Sequence, residues 1–254
     1  MPNTQIIGTG LAVPDRIVTN DDLAASMDTS DEWITQRTGI RQRHWVVEGE
    51  SGTGLSKLAA DRAIAMALVG ADEIEAIVYA TSSPDHFAPG NGVFLQHAMG
   101  LGHIPAIDIR TQCSGFVYAL SIADAYIRSG LYRTLLVVGA EVQSTGMDVS
   151  DRGRNTAVIF ADGAGAAVVR ADDTPGGSAI LGWDLHGDGA HAEQLWVDAP
   201  GAFTIRAIRP SFWIQNVSLR WTARRFFATP PPECPNQSRP PWPRPTSRQS
   251  RSSC

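Results

Sequence analysis

This sequence predicts an α/β fold built on a mixed, mostly parallel sheet, and three observations carry the prediction. Up to about Ala171, apolar runs rich in β-branched residues alternate with segments whose apolar positions recur at helical spacing. The last two apolar runs are separated by little more than the turn "DVSDRGRN", so the sheet is expected to end in antiparallel strands. No apolar run approaches the ~20 residues that a membrane helix needs.

The first strand is "TQIIGTGLAV". After it comes "DTSDEWITQR", in which Thr29 to Glu32 has the form of a capping box and Trp33 reads as one residue of an amphipathic helix. "SKLAADRAIAMAL" is the next helix, "EAIVYATS" a strand, "GVFLQHAMG" a helix and "PAIDI" a strand. In "SGFVYALSIADAYIRSG" the residues Phe116, Val117, Leu120, Ile122, Ala123 and Tyr126 keep helical spacing until Gly130 stops them. "TLLVVGAE" and "AVIFADGAGAAVV" complete the strand set.

With 254 residues, 43% hydrophobic and 19% charged, the chain has the composition of a soluble protein able to bury a sizeable core. Its three cysteines, Cys113, Cys234 and Cys254, lie too far apart for a disulfide framework and make no zinc spacing, so no metal site and a reducing, cytoplasmic setting are expected. "MPNTQIIGTG" has neither the basic nor the apolar region of a signal peptide, and no membrane contact is expected.

The net charge of -5 is unevenly spread: residues 201–254 hold nine arginines and one acid, Glu233. That stretch is dense in Pro, Arg and Ser and lacks periodicity, and it is expected to be disordered. Its Trp213, Trp221 and Trp242 interleave with arginines, a pattern able to stack on nucleic acid, although low-complexity basic tails arise in many ways and no nucleic-acid partner is expected.

Three glycine-rich stretches fail as nucleotide motifs. "GTGLAV" has Val13 where a dinucleotide fingerprint needs its third glycine, and "GESGTGLSK" has Leu55 where a phosphate loop needs lysine. "DGAGAAVV" has small residues suited to close packing. Close backbone packing explains all three.

Cys113 stands between the strand "PAIDI" and a helix start. A helix N-terminus favours thiolate over thiol and offers N–H groups to an oxyanion, which suits a nucleophile; a lone cysteine is more often a small buried hydrophobe, and both readings stand at this point.

Four segments decide between them. "DTSDEWITQRTGIRQRH", "TQCSGFVYAL", "LLVVGAEV" and "DRGRNTAVIFADGAGAAVV", in this order and spacing, closely resemble β-ketoacyl-acyl carrier protein synthase III, and the likeness runs from about Ile6 to about Val197. The resemblance implies a thiolase-like fold of two similar α/β halves and a homodimer. It implies an acyltransferase that starts fatty acid synthesis: an acyl group, often acetyl, passes from coenzyme A to a cysteine and is condensed with malonyl-acyl carrier protein as carbon dioxide leaves. No cofactor is implied beyond the coenzyme A thioester, which is a substrate. Cys113 matches the nucleophile. Thr29, Trp33, Arg37, Arg152 and Gly153 match coenzyme A contacts, and Phe87 in "PDHFAPG" falls near the acyl pocket. An indole face suits adenine and guanidinium forks suit phosphates.

The sequence also departs from the family. The histidine segment "HQAN.RI" and the asparagine segment "HGNTS" do not occur in it, and the glycine-rich closing strand is missing. Family-like text gives way near "LWVDAPGAF" to the basic tail, as reading a GC-rich coding region in another frame would yield. The expected organisation is a thiolase-like half with the nucleophile at 1–171, a remnant of the link toward a second half at 172–200, and the tail at 201–254. A frameshifted or truncated synthase is the expectation. A catalytically dead fragment or dimerisation partner of an intact synthase, and a secondary-metabolism condensing enzyme of the same fold, are the competing readings.

Overall fold

The computed structural model describes residues 1–197 and the backbone of 219–221. In chain order the elements are β1 (Asn3–Ala12), β2 (Ile17–Thr19), α1 (Asn20–Ala24), α2 (Asp31–Thr38), β3 (Gln42–His44), α3 (Gly52–Ala67), β4 (Ala76–Ala80), α4 (Asn91–Ala98), β5 (Ala106–Ile109), α5 (Gly115–Arg128), β6 (Thr134–Val142), α6 (Arg154–Ala157), β7 (Asp162–Asp172), β8 (Leu195–Val197) and β9 (Leu219–Trp221). Within 201–254, where disorder was expected, β9 pairs antiparallel with β8. The remainder of that expectation lies outside the described residues.

Five strands form the main sheet in the order β1-β7-β6-β4-β5. β4 runs parallel to β5 and β6, whereas β7 is antiparallel to both β6 and β1. Four strands therefore share one direction, and the reversed strand sits inside the sheet, not at its end. Alternation along β4 and β6 fills both faces, as expected for a covered parallel sheet. Ile77, Tyr79, Leu136 and Val138 pack with Leu55, Ala59 and Ala63 of α3 and Leu95 of α4. Val78, Leu135 and Val137 pack with Ala119, Ala123 and Ile127 of α5. Beside this sandwich, β2, β3, α1, α2 and α6 enclose a third cluster around Val18, Leu23, Ile34, Trp45 and Val158.

"GTG" is a packing device. A Cβ at Gly8 would lie 2.3 Å from the Ala63 carbonyl oxygen, and one at Gly10 would lie 2.1 Å from that of Ala59, so β1 touches α3 only because both side chains are absent. Two corrections concern element boundaries. The helix at "DEWITQR" is capped by Ser30, whose Oγ accepts from the Trp33 N–H, and not by Thr29. The last long strand begins at Asp162, because the helical turn Arg154–Ala157 takes in the first residue of the expected "AVIF" run and the chain does not become extended until after it.

Candidate active site

The chain leaves β5 at Ile109 and enters α5 at Gly115, and between them Gln112–Ser114 forms a single tight turn that carries Cys113. Cys113 therefore precedes the helix by two residues and is exposed. Gln112 has φ 47, a left-handed conformation that costs a side-chain-bearing residue of order 1–3 kcal/mol and bends the chain sharply just before the thiol. Small residues bring the turn against the sheet. A Cβ at Gly115 would come within 3.0 Å of the Ala80 side chain, and one at Gly139 within 3.1 Å of Phe116.

Cys113 lines a cavity of about 280 Å3 together with Ala80, Gln112, Phe116, Gly139 and Glu141. Ala80 ends β4 and pairs with Gly139, three residues before the end of β6, so the cavity opens toward the carboxyl ends of these parallel strands, where α/β sheets commonly hold ligands. Glu141 accepts hydrogen bonds from Ser82, Ser83 and Gln143. Sequence reasoning did not single it out, and the only signal was its place at the end of an apolar strand.

A second group lies on the small subdomain. Trp33, half-buried on α2, has the Arg37 guanidinium 4.2 Å and the Arg154 guanidinium 5.1 Å from its ring centroid. Arg154 is anchored by donation to the Asp28 carbonyl and pairs with the Asp28 carboxylate at 3.4 Å. The structure puts Arg154 over Trp33; Arg152, two positions earlier, is the arginine that the resemblance matches to a coenzyme A contact. Arg152 is 89% exposed and holds Asp148 at 2.6 Å; the Ser150 hydroxyl and then this arginine keep the Asp148 carboxyl below its ordinary range. "DRGR" offers two arginines two positions apart, and only the fold tells them apart. Gly153 is required by crowding, since a Cβ there would fall 1.8 Å from the Asp148 carbonyl oxygen. Thr29 keeps its hydroxyl oxygen buried without a hydrogen-bond partner. Phe87 is 62% exposed on the loop between β4 and α4. Among the described residues no group of three or more His, Cys, Asp or Glu side chains could hold a metal ion, and no helix is long and apolar enough to cross a membrane.

Comparison with known proteins places these features in a family context. Residues 107–189 match the sequence profile of 3-oxoacyl-[acyl-carrier-protein] synthase III. The chain is 48% identical over 198 residues to the β-ketoacyl-[acyl-carrier-protein] synthase III of Paramagnetospirillum magneticum, covering 77% of this chain and 60% of that protein. It is 46% identical over 197 residues to the enzyme of the same description from Bradyrhizobium diazoefficiens, covering 76% and 60%. The crystal structure of 3-oxoacyl-[acyl-carrier-protein] synthase III from Aquifex aeolicus superposes with a TM-score of 0.77 at 37% identity, over 89% of this chain and 66% of that one. The Pseudomonas aeruginosa structure of the same description gives 0.77 at 33%. The chain spans about 60% of the length of the curated relatives it matches.

Proposed function

We propose that this chain, which over 198 of its residues is a member of the β-ketoacyl-acyl carrier protein synthase III family, takes an acyl group from an acyl-coenzyme A onto Cys113, the first step of the condensation that starts fatty acid synthesis. The observation that carries the reading is the place of Cys113 on a sharp turn in a cavity at the carboxyl ends of β4 and β6. The Cys113 sulfur attacks the thioester carbonyl, a new carbon–sulfur bond forms, and the coenzyme A thiolate leaves and is protonated. The product is again a thioester and retains the donor's reactivity. In the complete reaction of the family malonyl-acyl carrier protein is the second substrate, and the cytoplasm is the expected setting. A second copy of the chain is the expected partner, in keeping with β5 as an open edge of the sheet.

Trp33, Arg37 and Arg154 are the coenzyme A-binding side chains: the indole stacks on adenine and the guanidinium groups reach phosphate. Thr29 and Gly153 shape the same surface. Phe87 borders the acyl pocket. Arg154→Ala is expected to weaken coenzyme A binding by about 1–3 kcal/mol, roughly 5- to 150-fold. Arg152→Ala, removing an exposed and locally paired side chain, should change it by less than about threefold. Calorimetric titration of both variants decides the assignment; equal losses would restore Arg152 to the site.

The reading itself is tested by intact-protein mass spectrometry after incubation with acetyl-coenzyme A. Wild type should gain one acetyl group and Cys113→Ala none. Acetylation that survives Cys113→Ala would refute the nucleophile.

A further inference from the structure

β4 and β6 run side by side to the pair Ala80 and Gly139. Beyond it the two chains diverge. Ser82–Asp85 heads for α3, where Asp85 accepts from the backbone N–H groups of Gly52 at 2.8 Å and Thr53 at 2.9 Å. Gln143 and Ser144 head for Asp162, which accepts both of their N–H groups. Past the last ladder pair, Glu141 bridges the gap. One carboxylate oxygen accepts from the Ser82 N–H at 2.8 Å. The other accepts from the hydroxyls of Ser82 at 2.8 Å and Ser83 at 2.6 Å and from the Gln143 side-chain amide at 2.9 Å. Ser83 Oγ accepts in turn from the Val142 N–H at 2.8 Å. Glu141, Ala80 and Gly139 line the same cavity as Cys113. The segment leaving the cavity wall is thus held at one end by Glu141 and at the other by the start of α3.

We propose that Glu141 is a positioning residue: by latching the chain beyond β4 to the end of β6 it holds the wall of the Cys113 cavity and sets the size of electrophile that the thiol accepts. This deepens the acyl-acceptor reading and rests on it for its biological meaning, although the geometry stands alone. The four donors are neutral and converge on two oxygens. A glutamine side chain cannot accept from all four, because its NH2 would face donors that a carboxylate oxygen now accepts. Alanine removes the latch.

The test uses the full chain and two reagents with one warhead, iodoacetamide and N-hexyl iodoacetamide, with alkylation of Cys113 followed by peptide-resolved mass spectrometry. Wild type should favour the small reagent. In Glu141→Ala the hexyl reagent should gain at least about fivefold relative to iodoacetamide, with a smaller gain in the same direction for Glu141→Gln and for Ser83→Ala. A merely structural role would lower the thermal midpoint and move both rates together, leaving their ratio unchanged. If Glu141→Ala fails to fold, Ser83→Ala, which removes one donor and keeps the carboxylate, carries the comparison. A ratio unchanged in every folded variant overturns the proposal, as does a wild type that treats the two reagents as a free cysteine does. A wild type that discriminates between the reagents but is never acetylated by acetyl-coenzyme A sinks the acyl-acceptor reading alone.

Discussion

Offered acetyl-coenzyme A and then malonyl-acyl carrier protein, this 254-residue chain is expected to hold the acetyl group on Cys113 and to release no ketoacyl product. The first half-reaction needs the thiol, its turn and the proposed coenzyme A surface around Trp33, and these fall among the described residues. The second decarboxylates the malonyl group and develops an enolate, whose charge needs hydrogen-bond donors already in place. Among the described residues that line the cavity there is neither a histidine nor an asparagine, and the 254 residues hold neither family segment that would bring them. Each such donor is typically worth about 100- to 1000-fold, so two are worth on the order of 10^4- to 10^6-fold where their effects multiply, and less where they act as a unit. A stable acetyl-protein that survives malonyl-acyl carrier protein in the mass spectrum is the expected result. Ketoacyl product at a rate near that of acetylation would refute the separation of the two steps.

Stability should fall between about pH 10 and pH 12 through a single buried phenol. Tyr79 is fully buried on β4, with Ser56 Oγ 2.6 Å and Asn91 Nδ2 3.2 Å from its hydroxyl. Burial is the main cause that raises it from its ordinary 10 to about 12. The sign follows from linkage: the unfolded chain releases this proton near pH 10 while the folded chain keeps it to near 12. The stabilisation is therefore whole below pH 10, lost across that interval and constant above it. Two pH units correspond to about 3 kcal/mol. Tyr79→Phe removes the titration but leaves the buried Asn91 amide without its acceptor, a cost of about 1–3 kcal/mol at neutral pH. Denaturant midpoints of the two proteins, measured from pH 8 to pH 12, should start apart and converge. Curves that stay parallel to pH 12 would show that the phenol ionises in the folded state as it does in water.

Much of this fold is written in local pattern. Apolar runs at 76–80 and 134–142 become β4 and β6 because both faces of the sheet are covered there, and burial on two sides leaves a continuous apolar signature that needs no knowledge of partners; the shorter run at 106–109 becomes the partly buried edge strand β5. The helices α3, α4 and α5 announce themselves by the same economy, one apolar stripe each. The thiol at the strand-to-helix junction was legible for a related reason, since Cys113 sits where two periodicities meet. Strand order was not legible, because β7 enters between β6 and β1 through contacts far apart in sequence. Nor was the cap at Ser30, since Thr29 and Ser30 carry the same hydroxyl chemistry and only backbone geometry separates them. Arg152 and Arg154 are chemically identical and two residues apart. Tertiary structure alone turns one outward to Asp148 and the other over Trp33. Glu141 had no signature at all, because its role comes from the divergence of two strands and the hydroxyls of Ser82 and Ser83, some sixty positions away. Periodicity encodes which face of an element meets the core, and for this protein that set the layers and the place of Cys113 between strand and helix. The side chains that converge around it were decided by long-range packing, which no single stretch of sequence contains.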